Sequence, residues 1–290
     1  MGPPINPSVS PQIDRSTVAR LMAPLTELVA SAGSAILKVD RGGMHVQGKS
    51  DGSPVTEADL ASDRIIADGL KQLAPDIPAL SEERLSEFGA HCPNLFFLID
   101  PLDGTKEFVA GRDEFTVNLA LVENGKPLLG IVGAPALGLI WRGLVGAGAE
   151  RLATGASLGS GLDRAQPIRT RPFPKAGQPW IAAVSRSHGD AATEAFIDAR
   201  AGAVRQTLGS AVKFARVAEG AVDIYPRLAP TSEWDVAAGH ALVTAAGGRV
   251  TDKAGGEVRF GGGNRDFIVP GFIAWGDPTV PEQAARQRGR

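Results

Sequence analysis

The sequence predicts a layered α/β fold, in which an antiparallel sheet flanked by helices precedes a smaller α/β half. Two observations lead there. Before residue 150, three neighbouring strand-like runs carry a hairpin signal between the first two. After a looser stretch at 155–171, strands and helices alternate. A chain of 290 residues is long enough to bury one compact two-part core or two intimate domains.

The elements follow in order. Residues 17–39 place Ala, Leu and Val at helical spacing, with Gly42-Gly43 as the expected stop. Pro24 should kink that helix or mark its true start. Residues 49–55 read as a polar loop with Gly52 and Pro54. Residues 56–73 predict a second helix, with Ile66, Leu70 and Leu73 on one face and Pro75 closing it. The short apolar run 77–80 delivers Ser81-Glu82-Glu83. Residues 95–99 are continuously apolar, as in a buried strand, and should end abruptly at Asp100. Strands are expected at 115–122, 128–132 and 139–145, with Asn124-Gly125 as a hairpin turn. The later half should hold strands at 180–184 and 222–225 and helices at 191–199, 210–219 and 234–246, the last ended by Gly247-Gly248.

Composition narrows the function classes. Lys plus Arg total 30 and Asp plus Glu total 32, so nothing suggests a nucleic-acid polymer as partner. The single cysteine, Cys92, cannot form an internal disulfide, which fits a reducing compartment. No apolar run approaches a membrane span, and residues 1–14 lack the apolar centre of a secretory signal. The cytoplasm is the expected location. Residues 1–15 and 279–290 read as flexible tails around halves at 16–160 and 161–278.

Five carboxylates stand where acids need a reason. Asp100 and Asp103 follow a buried strand directly. Pro101 stiffens the turn between them, and Gly104 permits close approach of a ligand. If a helix begins near Thr105, its free N–H groups face the same spot. Glu82 follows another short strand, and Asp59 and Asp235 open helices. Each has an ordinary explanation alone: a turn, a solvated acidic loop or a helix cap. Together they argue for a site that binds hard cations, and magnesium prefers oxygen ligands and substrate phosphates.

Ser81-Glu82-Glu83, Asp100-Pro101-Leu102-Asp103-Gly104-Thr105 and Trp234-Asp235-Val236-Ala237-Ala238-Gly239 resemble, in order and separation, the motifs of the inositol monophosphatase superfamily. The resemblance runs from about Lys49 to Gly248. It implies an αβαβα sandwich and a phosphatase with two or three magnesium ions. Glu82, Asp100 and the Leu102 carbonyl would hold one ion, and Asp100, Asp103 and Asp235 a second. Gly104 and Thr105 would receive the phosphate. Asp59 and Thr105 would take the proton from the attacking water, and Lys49 would lie near the metals.

Within the superfamily the chain is most similar to the 3'(2'),5'-bisphosphate nucleotidases. That likeness rests on Lys106-Glu107-Phe108, Val184-Ser185-Arg186-Ser187-His188, Gly209-Ser210-Ala211-Val212-Lys213 and Asp223-Ile224-Tyr225-Pro226-Arg227. By resemblance, His188, Gly209, Ser210, Lys213 and Arg227 would grip the nucleotide and its second phosphate. Read alone, Lys213 and Arg227 fit a solvated face and His188 a loop. Two positions depart from the pattern: Ala211 replaces a usual serine, and Gly133 a frequent aromatic. The implied substrate is 3'-phosphoadenosine 5'-phosphate, or its sulfated form. Rival readings are an inositol phosphate or fructose bisphosphate phosphatase, and a non-enzymatic phosphate- or nucleotide-binding regulator. The resemblance leaves open a homodimer and peripheral association with the inner face of the cell membrane.

Overall fold

Strict alternation of side chains builds the first sheet. Phe96 and Leu98 point into one core, while Phe97 and Ile99 point into another. The next two strands do the same: Ala120, Val122 and Val132 join the first core, and Val117, Leu119, Leu121 and Ile131 the second. A sheet buried on both faces must lie between two helical layers. The computed structural model shows that arrangement; it describes residues 13–41, 46–48, 54–87, 92–154, 165–175, 177–261 and 267–280.

The first half contains α1 (Arg15–Leu37), β1 (Val46–Gly48), β2 (Pro54–Thr56), α2 (Glu57–Leu73), β3 (Ala79–Ser81), a 3-10 turn at Glu82–Glu87, β4 (Leu95–Asp103), α3 (Thr105–Val109), β5 (Thr116–Glu123), β6 (Lys126–Ala134), β7 (Leu139–Leu144), β8 (Gly148–Ala153) and β9 (Gln166–Ile168). Strands β3 to β9 form one sheet in sequence order. The second half contains β10 (Trp180–Ser185), α4 (Ala191–Asp198), β11 (Ala203–Leu208), α5 (Val212–Ala218), β12 (Ile224–Arg227), β13 (Thr231–Ser232), α6 (Glu233–Ala245), β14 (Arg249–Thr251), β15 (Ile268–Val269) and β16 (Phe272–Trp275). Its main sheet has the order β11-β10-β12-β16-β14.

The layers stack as αβαβα. Helices α1 and α2 pack on the outer face of the first sheet. Helices α5 and α6 fill the space between the sheets, with Phe214, Trp234, Val236 and Leu242 in the shared core. On the far face of the second sheet, Ile197 of α4 packs with Trp180, Ile224 and Trp275. Because α6 is sandwiched, its apolar residues surround the helix rather than forming one stripe.

Several expectations need correction. Helix α1 ends at Leu37, before Gly42, and runs through Pro24. Val18, Leu25, Val29, Ala32 and Ile36 anchor it on both sides of the proline, which offsets the missing hydrogen bond. Leu73 is exposed, unlike Ile66 and Leu70. Strand β4 continues through Asp100 to Asp103, with a register shift against β5 between these two residues. Pro101 is tolerated in a strand at such an irregularity. The first sheet is antiparallel apart from β3, which runs parallel to β4. Its last strand, β9, lies beyond residue 160, so the chain crosses to the second sheet later than the sequence suggested. Strands β8, β9 and β11 were not expected; β11 carries Arg205, Gln206 and Thr207 on an edge and lacks an apolar run. The Asn124-Gly125 turn is present, with φ of 50° and 76°, as a tight hairpin requires.

Candidate active site

The register shift in β4 brings two acids into the space between the halves. Asp100 is 2 % exposed, and its Oδ1 accepts the Leu102 N–H at 3.0 Å. Asp103 Oδ2 accepts from Ala211 N at 2.6 Å, Asn118 Nδ2 at 3.3 Å and Thr116 Oγ1 at 3.4 Å. Asp235, in the first turn of α6, faces them from the other layer. One carboxylate oxygen from each of Asp100, Asp103 and Asp235 lies within 4.8 Å of the others. Burial, then the charges of Glu82, Asp103, Asp235 and Asp59, push the Asp100 carboxyl well up from its ordinary value. Burial and Asp235 push Asp103 up to about 6, against the opposing pull of Lys213. This cluster lacks the positive charge it needs, and its all-oxygen donor set fits a hard divalent cation.

The other expected catalytic residues converge on it. Thr56 caps α2 in a capping box, its backbone N–H and hydroxyl both donating to Asp59 Oδ2, at 2.8 and 2.6 Å. That leaves Asp59 Oδ1 beside Thr105 Oγ1 at 3.1 Å. Thr105 Oγ1 is also 3.1 Å from the Leu102 carbonyl. Gly104 adopts φ 91° as the N-cap of α3, a left-handed conformation that suits glycine. Helix α3 has only five residues, so individual backbone N–H groups matter here more than a helix dipole. Glu82 lines the same pocket. Asp63 braces the chain on both sides of Glu82: its carboxylate accepts from Ser81 Oγ at 2.6 Å and Arg84 Nε at 2.8 Å. Lys49 falls outside the described residues.

A cavity of about 200 Å³ spans from these acids to the second half. His188, Ser210, Lys213 and Arg227 line its far side, and Gly209 sits behind Ser210. Lys213 is 2 % exposed, so it does not belong to a solvated face. Its Nζ lies 3.4 Å from the Leu208 carbonyl and 5.3 Å from the Tyr225 ring centroid. Burial lowers its pKa to about 8 despite support from Asp103. His188 Nε2 lies 3.3 Å from Lys106 Nζ. Burial, then Arg227 and Lys106, lower the His188 pKa, so the ring is neutral near pH 7. Accepting from Lys106 at Nε2 leaves Nδ1 to carry the ring proton. Two buried atoms on this side, Ser210 Oγ and Arg227 Nε, have no hydrogen-bond partner among the described residues. Buried polar atoms are nearly always satisfied, so both mark places for ligand groups.

Matches to known proteins now bear on this geometry. Residues 18–287 match the model of the inositol monophosphatase family. The chain belongs to that family. Among curated family relatives, it is 39% identical over 250 residues to the 3'(2'),5'-bisphosphate nucleotidase CysQ of Escherichia coli O157:H7, covering 85% of this chain and 96% of the relative. It is 38% identical over 256 residues to the enzyme of that name from Salmonella typhimurium, covering 87% and 98%. The crystal structure of CysQ from Bacteroides thetaiotaomicron superposes with a TM-score of 0.72 at 31% identity, covering 89% of this chain and 97% of that one. An inositol monophosphatase structure from Thermotoga maritima gives 0.68 at 26%, covering 93% and 97%.

Both departures from the family pattern have a local account. Ala211 contributes its backbone N–H to Asp103, a contact that needs no side chain. Gly133 packs under α1, where an added Cβ would approach Val29 Cγ1 to 2.7 Å. Sequence reasoning assigned no role to Tyr225, Lys106, Glu107 or Trp234, all of which line the pocket. All four lay inside motifs already singled out. Glu107 is buried and accepts a hydrogen bond from Ser187 Oγ, so the triplet after Thr105 touches the second half directly. Among the described residues, no helix is long and apolar enough to cross a membrane.

Proposed function

We propose that this protein is a magnesium-dependent phosphatase that converts 3'-phosphoadenosine 5'-phosphate and water to AMP and inorganic phosphate. By the same chemistry it removes the 3'-phosphate of the sulfated nucleotide. One observation carries the reading: a single pocket has three clustered carboxylates on one wall and Lys213, Arg227 and His188 on the other. A substrate with two phosphates fits that division. One phosphate meets cations held by the acids, and the other meets cationic side chains directly. Relatives at up to 40% identity bear the name of the activity.

Glu82, Asp100 and the Leu102 carbonyl would hold one ion, and Asp100, Asp103 and Asp235 a second; a third would complete the upper count. Bound there, divalent cations supply Lewis acidity and charge neutralisation for phosphoryl transfer. The chain does the rest. Backbone N–H groups of Gly104 and Thr105 orient the scissile phosphate. Thr105 Oγ1 takes a proton from the attacking water and passes its own to Asp59 Oδ1, 3.1 Å away. Thr56 holds the other Asp59 oxygen, which keeps Oδ1 aimed at the threonine. Lys213, Arg227, the Ser210 hydroxyl and His188 Nδ1–H bind the 5'-phosphate, satisfying atoms that otherwise lack partners.

Phosphate release from 3'-phosphoadenosine 5'-phosphate and from inositol 1-phosphate, with magnesium and with a chelator, tests the reading. The expected result is a preference of about tenfold or more for the bisphosphate, the scale of one or two charge-assisted contacts, and no turnover in chelator. Faster hydrolysis of inositol 1-phosphate would reverse the assignment.

A further inference from the structure

The loop that presents Ser210 is held from the opposite half of the molecule. It follows β11, an edge strand, where a loop has little sheet around it to fix its position. Ser210 itself has φ 43°, an uncommon conformation for a non-glycine residue. Such backbone persists only when its surroundings determine it. Four contacts do so here. The Leu208 carbonyl accepts from Arg186 N at 3.2 Å and Lys213 Nζ at 3.4 Å. Ala211 N donates to Asp103 Oδ2 at 2.6 Å. Between these, Gly209 N donates to Glu114 Oε2 at 2.9 Å.

Glu114 comes from the excursion between α3 and β5, in the first half. Its Oε2 also accepts from Arg186 Nη2 at 2.6 Å. Arg186 lies in the neighbouring loop after β10, which carries Ser187 and His188. One carboxylate oxygen thus ties together the two loops that face the nucleotide side of the pocket. The approach is close: a Cβ at Gly209 would come within 2.4 Å of the Glu114 carbonyl and 2.8 Å of its Cβ. Gly209 therefore serves this contact.

We propose that Glu114 is a positioning residue for nucleotide specificity. It sets the Ser210 hydroxyl and the start of the His188 loop against the remote phosphate, without touching substrate or metal. This rests on the bisphosphate reading above. Asp103 draws its hydrogen bonds from Thr116, Asn118 and Ala211, not from the Glu114 side chain. Its loss should leave the chemistry at the scissile phosphate intact and loosen the grip on the second one.

The test compares wild type, Glu114→Ala, Glu114→Gln and Arg186→Met on adenosine 3',5'-bisphosphate and on a monophosphate such as 2'-AMP, with thermal melts of each. Glu114→Ala should raise KM for the bisphosphate tenfold or more, change its kcat less than threefold, and leave kcat/KM for the monophosphate within twofold. Glu114→Gln, whose amide oxygen still accepts from Gly209 N, should recover most of the loss. Arg186→Met should shift KM in the same direction by a smaller factor, and it carries the test if Glu114→Ala does not fold. An equal loss on both substrates would assign Glu114 a merely structural role and overturn the proposal, as would an unchanged bisphosphate KM. Wild type with no preference for the bisphosphate would instead sink the underlying reading, and the inference with it.

Discussion

The two walls of the pocket are built on opposite electrostatic plans. The wall from β4 and α6 gathers Asp100, Asp103 and Asp235 so closely that burial and mutual repulsion raise the pKa values of Asp100 and Asp103. The wall from α5 and β12 gathers Lys213 and Arg227, with Lys213 depressed to about 8 by burial. Neither arrangement is a good way to stabilise a fold, since each desolvates like charges together. A few groups bridge them: Lys213 favours the ionised form of Asp103, and Asp103 favours that of Lys213. The difference teaches where each wall acts. The acidic wall should matter to every phosphate ester, and the basic wall only to esters with a second anionic group.

The largest effect should come from the acidic wall. Asp103→Asn should cost about a hundredfold or more in kcat on bisphosphate and monophosphate alike, the scale seen when one preorganised charge-stabilising group is lost. The variant should stay folded, since Asn can keep an acceptor for Ala211 N. Near-wild-type turnover at saturating magnesium would remove Asp103 from the ligand set. Arg227→Ala should discriminate instead. It should cost roughly ten- to a hundredfold in kcat/KM on the bisphosphate, from about 1.5–3 kcal/mol of lost charge-assisted contact, and little on 2'-AMP. Equal losses on both esters would erase the distinction between the walls.

The split also explains what the sequence made legible. The acids were readable because each stands in a short local motif at a strand end or a helix start, such as Asp100-Pro101-Leu102-Asp103-Gly104-Thr105. Strands β4 to β6 were readable for the same local reason, as short apolar runs with the Asn124-Gly125 turn between the last two. What joins the walls is not local. Asp103 reaches Ala211, Glu107 reaches Ser187 and Glu114 reaches Gly209 across 108, 80 and 95 residues. No spacing rule reports such pairs. Strand β11 was missed because Arg205, Gln206 and Thr207 on an exposed edge give no apolar signal. Residue 160 looked like a boundary because its surroundings are rich in Gly and Ser, yet pairing with β8 carries β9 back into the first sheet. Lys213 read alone as a surface charge, since one position cannot reveal burial between two sheets.

A smaller effect follows from pH. Asp103 is pushed up to about 6, so its proton competes with a bound cation below that pH. Magnesium affinity, measured by calorimetry, should fall by about tenfold per pH unit for each proton displaced as pH drops through 6. In chelator the sign reverses for stability. A carboxyl whose folded pKa exceeds its unfolded value of 3.8 favours folding at low pH, and that contribution fades as pH rises through about 6. Magnesium at a hundredfold excess over its dissociation constant should add about 2.7 kcal/mol of stability at neutral pH, read as a higher Tm. A Tm indifferent to magnesium would show that the acidic wall binds no cation in the folded state.

The central claim, one wall for cations and one for the second phosphate, is most directly tested by a crystal structure with manganese and AMP. The account predicts anomalous scattering between Asp100, Asp103 and Asp235, with the 5'-phosphate hydrogen-bonded to Arg227 and the Ser210 hydroxyl. A nucleotide bound with its 5'-phosphate on the metal ions, or with no contact to Arg227 and Ser210, would contradict it.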